Sequence, residues 1–143
     1  MSPQVLKKAL VSNGFEVFRT LQGEVVLAER VRENLILDSG VRLGPADEGR
    51  LRVRVVFRAQ KTDFPSEDEE SLFRRARELS QAAVADGFAE IATNVHSIKD
   101  PVDAERVLDT VFEVHVAREV ASMEEATPVL KFALSLDKAA GAR

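Results

Sequence analysis

Apolar residues recur along the chain in two rhythms, and the switches between them mark the elements. Val5, Leu6, Ala9 and Leu10 fall at i, i+1, i+4 and i+5, one stripe of a short helix. Ser2 caps that helix, Pro3 suits its first position because a missing N–H costs nothing there, and Asn13-Gly14 ends it. From Phe15 the period becomes two. Phe15, Val17 and Leu21 alternate with Glu16 and Thr20, and Gln22-Gly23 is a hairpin turn into Glu24–Ala28. The segment Leu27–Asn34 has good helix formers between two strand-like runs. Its flanks favour a strand to about Val31, a turn, then a third strand over Leu35–Leu43 with an Asp-Ser-Gly irregularity. Gly44 to Gly49 reads as a loop, broken by Gly and Pro.

Arg50–Gln60 has the cleanest strand pattern. Leu51, Val53, Val55, Phe57 and Ala59 occupy one face; Arg50, Arg52, Arg54, Val56 and Arg58 occupy the other. A strict period of two with one charged face describes an antiparallel sheet covered on one side. After an exposed loop at Lys61–Pro65, Ser66 and Glu69 form a capping box that opens a second helix, with Leu72, Phe73, Ala76, Leu79 and Ala83 as its buried stripe. Asp86-Gly87 closes it. Phe88–Ile98 is a strand with Ile91 and Val95 on one face and Glu90 and Asn94 on the other. A turn at Lys99–Glu105 leads to another strand, whose inward face is Leu108, Thr110, Phe112, Val114 and Val116. The last helix has two candidate starts. Ser122 with Glu125 is a capping box that leaves Pro128 inside the helix; Thr127 as cap makes Pro128 the first helical residue. Either start turns Val129, Leu130, Ala133 and Leu134 inward, and Lys138–Arg143 reads as a frayed tail.

The pattern therefore predicts a single α+β domain over 1–143. Its order is α-β-β-β-α-β-β-α, with three or four strands before the second helix: an antiparallel sheet of five to six strands with three helices mainly on one face. Composition narrows what such a domain does. With 45% hydrophobic and 31% charged residues, wholesale disorder is excluded. Unbroken apolar runs of four residues, such as Val25–Ala28, are far short of the roughly 20 that a membrane helix needs. Zero cysteines exclude disulfides, thiolate nucleophiles and Cys-held clusters. The start, Met-Ser-Pro-Gln-Val-Leu-Lys-Lys, lacks the apolar stretch of a secretory signal, so the expected location is the cytoplasm. A net charge of −4 and the absence of Trp and Tyr both weigh against non-specific nucleic-acid binding, which draws on basic surplus and stacking.

No phosphate-binding glycine loop and no Gly-x-Ser-x-Gly elbow occurs, so catalytic, cofactor and metal residues are assigned to none. His96 and His115 fall on consecutive strands without ligand spacing and read as ordinary surface histidines. The ladder Arg50, Arg52, Arg54, Arg58 is the sharpest feature. Guanidinium forks about 7 Å apart suit phosphates or carboxylates, and equally suit the wet face of a sheet cross-paired with residues such as Glu16, Glu24, Asp109 or Glu113. The acidic cluster Asp63, Glu67, Asp68, Glu69, Glu70 complements the dipole of the second helix.

The order helix, strands, helix, two strands, helix, spanning Pro3 to Leu136, is similar to that of class I type III secretion chaperones and of YbjN-type bacterial domains. That resemblance lives in topology. It implies a small acidic protein that dimerises and binds another polypeptide without catalysis. The expected function is accordingly a non-catalytic protein- or peptide-binding module, chaperone-like or a regulatory adaptor, and a homodimer. An anionic ligand or nucleic acid on the arginine face is the alternative, and an enzyme with a dispersed site a further one.

Overall fold

The computed structural model describes residues 2–141. It is an α+β fold with three helices, and its strands hydrogen-bond in the order β1-β2-β3-β4-β6-β5, with β7 pairing β4 off that path. The chain divides into two compact units.

The first comprises the chain up to Val55 together with Ala117–Leu136. Helix α1 (Pro3–Ser12) is capped by Ser2, whose Oγ accepts the Val5 N–H at 3.3 Å, and Gly14 supplies the positive φ of +87° after it. Leu6 and Leu10 are buried, whereas Val5 at the shoulder of the stripe is half exposed. Strands β1 (Val17–Leu21) and β2 (Glu24–Arg32) join through Gln22-Gly23, both at positive φ, the geometry of a two-residue hairpin turn. Leu27–Asn34 is indeed strand to Arg32, a turn, then β3 (Leu35–Pro45). Tertiary burial overrides helix propensity here. Val25, Val26 and Leu27 are all fully buried, and three consecutive buried side chains suit a strand enclosed on both faces. The Asp-Ser-Gly irregularity is closed by the buried Ser39 hydroxyl, which donates to the Leu27 carbonyl at 2.7 Å and accepts from the Val41 N–H at 3.1 Å. Residues Leu51–Val55 of β4 (Leu51–Gln60) pair with Val41–Pro45 of β3.

Of the two candidate starts for α3 (Met123–Ser135), the structure takes Ser122, whose Oγ accepts the Glu125 N–H at 3.2 Å. Pro128 therefore lies inside the helix. Ala126, Val129, Leu130 and Ala133 are buried, and α3 packs on β3.

The second unit runs from Val56 to Val116 and resumes at Asp137. It holds the end of β4, helix α2 (Glu69–Ala85), strand β5 (Ala89–Lys99), most of β6 (Val107–Val120) and β7 (Ala139–Ala140). Two expectations are corrected. Asp68, not Ser66, caps α2: the helix begins at Glu69, and the Asp68 carboxylate accepts the Ser71 N–H at 2.9 Å. The tail is not frayed at Lys138–Ala140. The Arg58 N–H donates to the Lys138 carbonyl at 2.9 Å, and Ala139 and Ala140 pair in parallel with Arg58 and Ala59. The ladder from β3 ends at Val55, so this stretch of β4 has backbone groups to offer. Residues Ala142 and Arg143 of that tail lie outside the described residues.

The buried stripe of α2 is Leu72, Ala76, Ser80 and Ala83; Phe73 and Leu79 are half-buried. Ser80, absent from the stripe read from the sequence, is buried, and its hydroxyl donates to the Arg77 carbonyl at 2.7 Å. Phe73 meets Phe112 of β6 edge to face, with ring centres 5.4 Å apart.

Candidate interaction site

The inward face of β4 is as the sequence predicts, with Leu51, Val53, Val55, Phe57 and Ala59 buried; the arginines share the opposite face, where Val56 is buried as well. They do not form a free row. Arg54 is held by Glu24 of β2 through two charge-assisted hydrogen bonds of 2.5 and 3.0 Å, with both side chains about one-fifth exposed. Arg50 lies 3.9 Å from Glu119, an exposed pair and a partner the sequence reading did not name. Arg42, opposite Arg54 in the β3–β4 register, is bound by Asp38 at 2.9 and 3.0 Å. Arg52 is exposed and, among the described residues, forms no ion pair; it borders a shallow pocket of about 300 Å³ with Gln22, Gly23, Glu24, Pro45 and Arg54. Arg58 is half-buried, in the other unit. Local carboxylates thus answer Arg54 firmly and Arg50 loosely, and leave Arg52 and Arg58 without an ion pair among the described residues. Of the acids expected to answer the ladder, Glu24 does; Glu16 instead takes Arg30 at 2.6 Å, and Asp109 accepts from the Thr62 N–H and hydroxyl.

The fourth expected partner, Glu113, bonds the His115 ring at 3.0 Å and accepts from the Asn94 amide at 3.2 Å. His115 holds that carboxyl below its usual range, against the burial that pushes it up. His115 is mostly buried, so the description as a surface histidine fits His96 but not His115. Among the described residues, no group of three His, Asp or Glu is placed to share a metal ion.

The acidic cluster divides its labour. Asp68 caps α2 and Glu69 and Glu70 occupy its first turn. Glu67 accepts bidentate hydrogen bonds from Arg75 and one from Ser71, which pull its carboxyl down to about 2, and Arg75 also stacks on Phe64 at 4.0 Å. The Lys61 ammonium donates to the Glu67 carbonyl. These contacts pin the loop before α2.

The feature that the sequence reading passed over is strand β5. All eleven of its residues are exposed on both faces, including Ile91 (51%), Val95 (43%) and Ile98 (40%). It ends the strand order, so one row of its backbone groups has no partner strand among the described residues. On the face shared by Ile91, Thr93 and Val95, Thr93 lines a shallow groove of about 460 Å³ with Glu69, Glu70, Phe73 and Arg77 of α2. At the far end of the hairpin, Val102, Val107 and Leu108 are exposed as well. The inward face expected of β6 is therefore buried at Phe112, Val114 and Val116 but open at Leu108. A signal did exist. Ile91 to Ile98 is a β-prone run with neither Pro, Gly nor formal charge, the composition of a strand that pairs readily with another chain.

Among the described residues, no helix is long and apolar enough to cross a membrane. The chain matches no family model, no curated protein and no solved structure.

Proposed function

We propose that this chain is a non-catalytic module that binds another polypeptide in extended form along β5, as a chaperone-like or regulatory adaptor in the cytoplasm. One observation carries the reading: an eleven-residue terminal strand exposed along its whole length, with three β-branched apolar side chains on it. An added strand gains main-chain hydrogen bonds from the edge, and the groove between Thr93 and Phe73 receives alternate side chains of the guest.

The test is selection of binders from a random peptide library, followed by mapping on the backbone amide spectrum. Binders that shift the amides of residues 89–99, and that lose affinity with Val95→Lys, support the reading. Binders that map elsewhere overturn it, and so does a monomeric protein for which the library yields none. The alternative of an anionic ligand on the arginine face has weaker support, since Arg50 and Arg54 already face carboxylates.

A further inference from the structure

We propose that the occupant of β5 is a second copy of this chain, paired antiparallel about a two-fold axis at Thr93. The inference rests on the reading of β5 as a polypeptide-binding edge and specifies its partner.

Self-pairing of one strand requires that its own side chains suit each other when reversed. Centred on Thr93, the register sets Ile91 opposite Val95 and Val95 opposite Ile91, with Thr93 facing its equivalent. These are β-branched pairs, among the favourable cross-strand combinations. On the other face Ala92 lies opposite Asn94, and Glu90, opposite His96, is already held by Arg77 of its own α2 at 2.7 and 3.1 Å. No like charges meet. Shifting the axis to Asn94 sets Ile91 against Ser97, and shifting it to Val95 sets Ile91 against Lys99, so Thr93 alone matches both apolar side chains with each other.

The groove beside α2 fits the same geometry. Ile91, Thr93 and Val95 share the face on which Thr93 and Phe73 line that groove, so each copy brings its apolar pair toward the half-buried Phe73 of the other's flank. A two-fold pairing also closes on itself: once the two edges meet, neither is left to recruit a third chain.

The chain has no cysteine, so single introduced cysteines report the axis directly. Light scattering during size exclusion should give about twice 15.8 kDa for the unaltered protein. Thr93→Cys should oxidise to a covalent dimer. Val95→Cys should not, because in this register its equivalent lies four residues along the partner strand, beyond the Cα separation of about 7 Å that a disulfide tolerates. Val95→Lys should weaken self-association at least about tenfold and leave the melting temperature of the monomer unchanged. A protein that stays monomeric, yet whose β5 amides still shift with library-selected peptides, overturns the second copy and leaves the polypeptide reading standing. A monomer with an inert β5 overturns both. Cross-linking of Val95→Cys in preference to Thr93→Cys overturns the register.

Discussion

The strand order begins at β1 and ends at β5, and the two terminal strands are built on opposite principles. Strand β1 has five residues, and its register slips between Val17 and Arg19, the mark of a bulge. Arg19 stands exposed beside the Phe18 ring, Glu16 is tied to Arg30 of β2, and α1 packs against the strand. Shortness, a bulge, charge and a covering helix are the usual devices that keep an edge from recruiting another chain. Strand β5 has eleven residues, is exposed throughout, and carries no formal charge between Glu90 and Lys99. One edge is guarded and the other is not. Hydrophobic side chains thus stand in two settings in this molecule, interior cement around β2 and exposed surface on β5, and strand periodicity alone does not tell them apart.

The largest test of that contrast compares equivalent truncations. Leu27→Ala, in the fully buried run of β2, should lower unfolding stability by about 2–5 kcal/mol, whereas Val95→Ala should change that of the monomer by less than about 0.5 kcal/mol in denaturant titration. Comparable losses would mean that β5 is core after all. Next in size are the arginines. Arg54→Ala removes the partner of a mostly buried Glu24 and should cost about 1–3 kcal/mol, while Arg52→Ala should stay within about 0.5 kcal/mol. Equal effects would show that the arginine face is energetically uniform.

Acid titration separates the regions further. Glu67 titrates at about 2 in the folded protein against an ordinary 4.5, so its contribution is complete above 4.5 and disappears as pH falls through about 2. The melting temperature should therefore fall across that window, and Glu67→Gln should flatten this part of the fall. Glu16, lowered by its hydrogen bond from Arg30, acts in the same direction at the guarded edge. An unchanged acid limb in Glu67→Gln would remove the clasp from the account. The smallest expected effect is that of Arg19→Val. It should leave stability within about 0.5 kcal/mol but make β1 the stickier edge, read as concentration-dependent scattering when combined with Val95→Lys.

Most of the fold was legible because local chemistry and burial agree. The alternation of β4, the Gln22-Gly23 turn, the Asn13-Gly14 stop and the Ser2 cap each follow from side-chain period or backbone preference. What escaped was settled by competition between rival groups. Ser66 with Glu69 made an acceptable capping box, but the helix begins only at Glu69, where the Asp68 carboxylate accepts the Ser71 N–H and takes the role. The docking of Lys138–Ala140 depends on where the β3–β4 ladder stops, which no local pattern records. The candidate interaction site was the least legible part. The arginine row drew attention because it is charged, yet cross-strand carboxylates answer part of it. Ile91 and Val95 read as ordinary strand residues, because a sequence does not show which strand ends the sheet.

One glycine carries a consequence for how the first unit keeps its alignment. A Cβ on Gly44 would come within 2.9 Å of the Glu24 Cγ, so the Glu24 stem lies directly over the backbone of β3 on its way to Arg54 of β4. Strands that are not neighbours are thereby strapped together across the one between them. The bare notch at Gly44 acts as a keyway: slide the middle strand by two residues and Arg42 or Ala46 arrives beneath the strap, which then no longer fits.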